Sequence, residues 1–117
     1  MSPFHKKIVW LVELLKSPPL SDKARIETGF LLRQLQAGMS LEMPHSRPMP
    51  SIGKRCHEIR VNDENKTWRF FYRIDDDAII LAHWISKKTQ KTSKKDIALC
   101  KARFKQYDTD GGKDEKN

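Results

Sequence analysis

Residues Cys56 to Lys88 read CHEIRVNDENKTWRFFYRIDDDAIILAHWISKK, and the fold follows from how this stretch divides. Cys56 to Asn62 alternates apolar and polar residues, Thr67 to Ile74 is aromatic and alternating, and Ala78 to Ile85 is a β-branched run. Asn- and Asp-rich turns at Asp63 to Lys66 and at Asp75 to Asp77 separate the three. The pattern predicts three strands of an antiparallel meander. Strand side chains alternate with a period of two, so Trp68, Phe70, Tyr72 and Ile74 share one face while Arg69, Phe71 and Arg73 share the other. The same rule sets His57, Ile59 and Val61 against Cys56, Glu58 and Arg60, and groups His83 with Leu81 and Ile85. One face is thus expected to be core and the other to carry arginine. A face displaying Glu58, Arg60, Arg69 and Arg73 is either solvated surface with cross-strand ion pairs or a site for phosphates, whose oxygens match the guanidinium fork.

Upstream, KIVWLVELL from Lys7 to Leu15 is a short apolar run ended by Lys16-Ser17-Pro18-Pro19. It reads as a strand or one helical turn of core, and its β-branched content predicts a strand, β1, in its first half. Ser21 and Asp22 are capping residues for a helix that runs to about Ala37 and stops at Gly38. Ala24, Thr28, Leu31 and Leu35 form one stripe of it, ready to pack on the sheet, and Ile26, Phe30 and Ala37 a second. The second stripe meets the loop that follows or serves as a partner-binding patch. Ser40 to Gly53, with three prolines and no periodicity, is expected to be an ordered loop or lid carrying His45 and Arg47. Downstream, Ser93 with Asp96 resembles a capping box, and Ile97, Cys100, Phe104 and Tyr107 line one face of a C-terminal helix that docks on the core.

At 117 residues the chain is one domain, expected over residues 1–107, with a disordered polar tail from Asp108 to Asn117. There are no repeats. The net charge of +8 and pI near 9.7 point to a polyanionic partner, although an acidic protein or a membrane surface would also attract such a chain. The charge is local: Lys87 to Lys105 holds eight basic residues and one acid, Asp96. Lys87, Lys88, Lys91, Lys94 and Lys95 are therefore candidate nucleic-acid contacts beside the arginine face, since counterion release rewards clustered cations. Phe71 and Trp84 either stack bases there or pack in the core. Cys56 and Cys100 form no CxxC and are expected to be packed thiols. His5, His45, His57 and His83 show no ligand spacing, so neither a metal nor a small-molecule cofactor is expected. No apolar run is long enough to span a membrane and MSPFHKK lacks a signal-peptide layout, so a cytoplasmic protein is expected.

The order strand, helix, Pro-rich loop, meander and basic helix, together with SRPMPSIG, CHEIRV, WRFFYRID and ISKKTQKT, resembles the RelE/ParE toxin superfamily over about residues 7 to 107. It is most similar to the phage-derived, HigB-like branch. The resemblance implies an α+β, RelE-like fold: a small antiparallel sheet of β1 plus the three-stranded meander, packed with an N-terminal helix or helical hairpin and a C-terminal helix. It implies a toxin of a type II toxin–antitoxin pair, with a helix-turn-helix antitoxin, the ribosome and mRNA as partners. Messages would be cut in the ribosomal A site without metal, the ribose 2′-OH attacking the adjacent phosphate. By the family pattern Arg69 grips the scissile phosphate, Glu58 and Arg60 stand where relatives place acid/base or phosphate-binding residues, with Glu58 a candidate base, and Lys88 supports the transition state or leaving group; Arg73, on the same face as Arg69, adds charge or holds RNA. His83 is a further candidate acid or base, an imidazole being the usual side chain for that work. The chain departs from the pattern in one respect. Cleaving relatives often carry a catalytic Tyr or His at or after the last strand, whereas no Tyr follows here before Tyr107. Two other functions are compatible with the scaffold: ParE-like inhibition of DNA gyrase and non-catalytic nucleic-acid binding.

Overall fold

Along the chain, the computed structural model runs β1 (Lys7–Trp10), α1 (Asp22–Gln36), β2 (Ser46–Pro48), β3 (Cys56–Asp63), β4 (Lys66–Ile74), β5 (Ala78–Lys87) and α2 (Lys94–Gln106), closed by a π-helical turn, Tyr107–Gly111. It describes residues 5–11, 19–64, 66–87 and 91–111. The strands form one sheet in the order β1-β5-β4-β3-β2, and the fold is α+β with an architecture compatible with RelE-like proteins. The meander is antiparallel as expected, with Arg60 opposite Arg69 and Glu58 opposite Phe71.

Two strands depart from the expected four-stranded antiparallel sheet. β1 runs parallel to β5; alternation identifies a strand but does not set its direction, which here follows from the chain crossing the sheet as α1 before the meander begins. The Pro-rich loop contributes a fifth strand, β2, antiparallel to β3 with Arg47 opposite Glu58. Three residues are too few to show a period, and Pro48 argues for loop unless the strand lies at an edge, as this one does.

α1 begins at Ser21, whose hydroxyl accepts the Ala24 N–H at 3.2 Å, and ends at Gly38, whose φ of +88° suits a residue without Cβ. The expected stripe, Ala24, Thr28, Leu31 and Leu35, is buried against Ile59, Val61, Trp68, Phe70, Tyr72, Ile79 and Leu81. The second stripe is not covered by the following loop: Ile26 and Phe30 are 71% and 53% exposed.

Asp63, at the end of β3, fastens the start of α1 to the β3–β4 hairpin. Its Oδ2 accepts the Ser21 backbone N–H at 3.0 Å and the Trp68 indole N–H at 2.9 Å. The hydrogen bonding from Ser21, aided by that from Trp68, holds the carboxyl below its ordinary value. A depressed carboxylate contributes stability that is present above its unfolded pKa of about 3.9 and is lost as pH falls through the lower folded value. Asp63→Asn is therefore expected to lower the denaturation midpoint at neutral pH and to flatten the decline in stability on acidification below about pH 4. Urea titrations across that range measure both, and an unchanged acid slope would count against the fastening role.

The opposite face is not open arginine surface along its length, because α2 packs on part of it. Phe71, Ala78, Ile80, Ala82 and Ile85 form a second core with Met49, Ile52, Cys56, Cys100 and Phe104. Phe71 is fully buried there, and Trp84 packs on the α1 side, its ring 5.3 Å from that of Trp68. Both aromatics are thus core. Cys56 and Cys100 are free buried thiols, and burial pushes Cys100 up to about 12 and Cys56 above its ordinary value. Ser93 caps α2 as expected, its Oγ accepting the Asp96 N–H at 3.1 Å. Helical structure continues through Asp108 to Gly111, where a disordered tail was expected to start; residues 112–117, the rest of that expectation, lie outside the described residues.

A register shift marks the centre of β5. Phe71 pairs with His83, but Tyr72 pairs with Leu81, so Ala82 is an extra residue. This β-bulge breaks the alternation. Leu81 stays on the α1 side, while His83 turns to the α2 side and stacks beside Phe71, ring centroids 6.0 Å apart. Strict alternation had placed His83 on the Leu81 face.

Candidate functional site

Three neighbouring strands bring Arg47 of β2, Glu58 and Arg60 of β3, and Arg69 of β4 together on the α2 side of the sheet. Register explains the meeting: Arg47 lies opposite Glu58, and Arg60 opposite Arg69. The guanidiniums converge on one carboxylate. Glu58 Oε1 accepts Arg47 Nε–H at 2.9 Å and lies 3.9 Å from Arg60 Nε, while Oε2 lies 3.7 Å from Arg69 Nη1. The two longer contacts are ion pairs without hydrogen-bond geometry. Among the described residues Glu58 Oε2 has no hydrogen-bond partner, although it is buried.

The cluster has depth. The Glu58 and Arg69 side chains are 0% and 1% exposed, whereas those of Arg60 and Arg47 are 21% and 30% exposed. Arg60 and Arg47 form the mouth and Arg69 lies beneath them. Burial pushes the Arg69 guanidinium below its ordinary pKa, with Arg60 and Arg47 acting the same way and Glu58 opposing them. An arginine starts so high that it stays charged regardless. Three cations around one anion leave an excess of positive charge, which an entering phosphate would neutralise with bidentate hydrogen bonds.

The other candidates fall elsewhere. Arg73 is four residues along β4 from Arg69, about 13 Å at the strand rise. It is clamped between Asp75 and Asp108, with N–O distances of 2.8 to 3.0 Å, and it lies over the Phe104 ring. Burial works to lower its pKa, but the carboxylates of Asp75 and Asp108 outweigh it and raise the value. His83 presents both ring nitrogens to α2: Nε2 is 3.0 Å from Asp96 Oδ1, and Nδ1 is 3.5 Å from Arg103 Nη1. Arg103 in turn donates to the Ala82 carbonyl at 2.7 Å. This arrangement ties α2 to the bulge of β5. Lys91, Lys94 and Lys95 are exposed around the start of α2. Lys87 ends β5 opposite Thr67, and Lys88 lies outside the described residues.

Arg47 was not among the residues singled out for the site. No pattern in a Pro-rich loop marks one arginine as facing a glutamate eleven residues later; the pairing exists only because β2 adds to the sheet edge. Among the described residues no group of three His, Cys, Asp or Glu side chains is arranged to hold a metal ion. No described helix is long and apolar enough to cross a membrane.

The described residues thus form a five-stranded α+β sheet with a helix on each side and a cluster of guanidiniums around Glu58. Residues 18–105 match the family model described as "Phage derived protein Gp49-like (DUF891)", and the chain belongs to that family. It is a family of toxin–antitoxin toxins, so a cognate antitoxin is a partner. No curated protein and no solved structure matches the chain significantly.

Proposed function

We propose that this toxin is a ribosome-dependent mRNA endonuclease of the HigB-like kind, silenced by a helix-turn-helix antitoxin. The observation that carries the reading is the convergence of Arg47, Arg60 and Arg69 on the single buried carboxylate of Glu58. The RNA 2′-oxygen attacks the adjacent phosphorus, loses its proton, and expels the 5′-oxygen, which must gain one. The products are a 2′,3′-cyclic phosphate and a 5′-hydroxyl. Charge accumulates on the non-bridging oxygens in the transition state, and fixed donors aimed there are the largest contribution a protein makes.

In this scheme Arg60 and Arg47 meet the phosphate at the mouth, and Arg69 supplies charge from beneath. Guanidiniums thus do the electrostatic work, and the reaction is metal-independent. Glu58 orients Arg47 through Oε1, and Oε2, without a hydrogen-bond partner among the described residues, is the acceptor for the 2′-OH proton. The proton for the leaving oxygen falls to the basic segment after β5, where the family pattern points to Lys88. His83, with both nitrogens turned to α2, holds the helix that borders this segment. Lys87, Lys91, Lys94 and Lys95 extend the electrostatic footprint along the strand of message.

Induced expression followed by primer extension on cellular mRNA tests the reading. The expected result is a set of in-frame cuts that vanish when ribosome loading is blocked. Intact messages accompanied by DNA breaks would instead identify a gyrase inhibitor. Salt-sensitive RNA binding without toxicity would identify a non-catalytic binder.

A further inference from the structure

Away from the arginine cluster, the C-terminal half of α2, the turn before β3 and the end of β4 frame an open cavity of about 370 Å³. Five cations line it, Lys54, Arg55, Arg73, Lys101 and Lys105, against one carboxylate, Asp108. Its floor is apolar, formed by Ile52, Cys56 and Phe104, each less than a tenth exposed. Arg55 stands at the rim with φ of +63°, a left-handed backbone uncommon for a residue with a side chain. It is held by the Ile74 N–H donating to its carbonyl at 3.0 Å and by its Nε–H donating to the Ile74 carbonyl at 3.1 Å. Observed backbone strain of this kind gathers at functional sites.

The two carboxylates on Arg73 are not equivalent. Asp75 takes Nε and Nη2 from within the adjoining turn, and its side chain is 19% exposed. Asp108 takes the outer edge, Nη1 and Nη2, from the turn that closes α2, and its side chain is 56% exposed. An ion pair that exposed is weakly held, and Lys54, Lys101 and Lys105 line the same cavity as Asp108. That outer edge is the fork that phosphate oxygens occupy.

We infer that this cavity is a second RNA-backbone subsite in which the Asp108 carboxylate stands in for a phosphate, leaving when a backbone phosphate of single-stranded RNA takes the outer edge of Arg73. The inference rests on the RNA-cleaving reading for its substrate. A strand bound at Arg60 and Arg69 reaches Arg73 within a few nucleotides, because four residues of β4 span about 13 Å. A track leads there as well: exposed Lys94, Lys101 and Lys105 fall at i, i+7 and i+11 on one side of α2. A single planar fork above an apolar floor fits one sugar-phosphate unit better than it fits a run of acidic side chains.

Fluorescence-anisotropy titration of the full chain with a 2′-O-methyl single-stranded oligonucleotide, which cannot be cleaved, tests the subsite across a range of salt. Lys101→Ala with Lys105→Ala is expected to weaken binding about tenfold and to reduce the slope of log K against log salt by about 0.7 per lysine. Asp108→Asn is expected to tighten binding severalfold and to make inorganic phosphate a stronger competitor. Lys101→Arg with Lys105→Arg should keep the parent slope, and thermal melts compare the folds of all variants. Unchanged slope in the double alanine variant together with unchanged affinity in Asp108→Asn overturns the inference. So does a glutamate-rich peptide whose binding needs Lys101 and Lys105 while the oligonucleotide's does not. Cleavage is read separately by primer extension: the expected binding changes in a chain that cuts no message would uphold the subsite and sink the cleavage reading alone.

Discussion

Arg60→Ala is expected to slow message cleavage by about a hundredfold to a thousandfold, the typical cost of removing one transition-state donor, with little change in melting temperature. Its side chain is 21% exposed and its contact to Glu58 is 3.9 Å, too long to be a hydrogen bond, so folding depends little on it. Arg69→Ala is expected to lose cleavage to a similar extent and also to melt earlier, since its side chain is 1% exposed beside a buried carboxylate. Comparing the two variants separates chemistry from scaffolding. Primer-extension signal per unit of folded protein, normalised by near-UV circular dichroism, is the measurement. Full cutting by the Arg60 variant would remove it from the phosphate grip and leave Arg47 as the arginine at the mouth.

The largest loss of stability is expected from Glu58→Ala. The carboxylate is fully buried and is the shared counter-ion of Arg47, Arg60 and Arg69. Deleting one partner of a buried charged group costs about 3–5 kcal/mol, because the opposite charge loses its counter-ion in a poorly solvated place. Three guanidiniums would then repel one another. Glu58→Gln should recover part of the loss by keeping a hydrogen-bond acceptor for Arg47 Nε. Phosphate or sulfate in the buffer should recover more, by restoring an anion between the arginines. Urea titrations with and without phosphate measure this. Loss of less than about 1 kcal/mol, as for an exposed pair, would show that the cluster is solvated in solution.

The meander was legible because alternation, turn residues and β-branched runs agreed over a single stretch, and α1 because its caps and its Ala24-Thr28-Leu31-Leu35 stripe agreed. What was not legible involves contacts between distant parts of the chain. Nothing local marks Ala82 as the extra residue of a bulge, yet that residue decides which helix His83 faces. Nothing local pairs Arg47 with Glu58, because the partnership depends on a three-residue edge strand. The docking stripe of α2 was visible, but the strands it covers were not, so a face expected to carry arginine proves to be core in part and arginine cluster in part. Arg73 shows the same limit: alternation placed it correctly beside Phe71, while its clamp comes from Asp108, 35 residues later.

The margins of the sheet bear on how other chains meet this one. One outer strand, β1, has four residues and the other, β2, has three, the last being Pro48. A margin so short, or lacking an amide donor, is a poor template for an incoming strand. Association by sheet extension, whether with another copy or with a partner peptide, is therefore disfavoured along these described strands. What the described surface offers a partner instead is side chains: the exposed apolar pair Ile26 and Phe30 on the outside of α1, and the exposed lysines of α2.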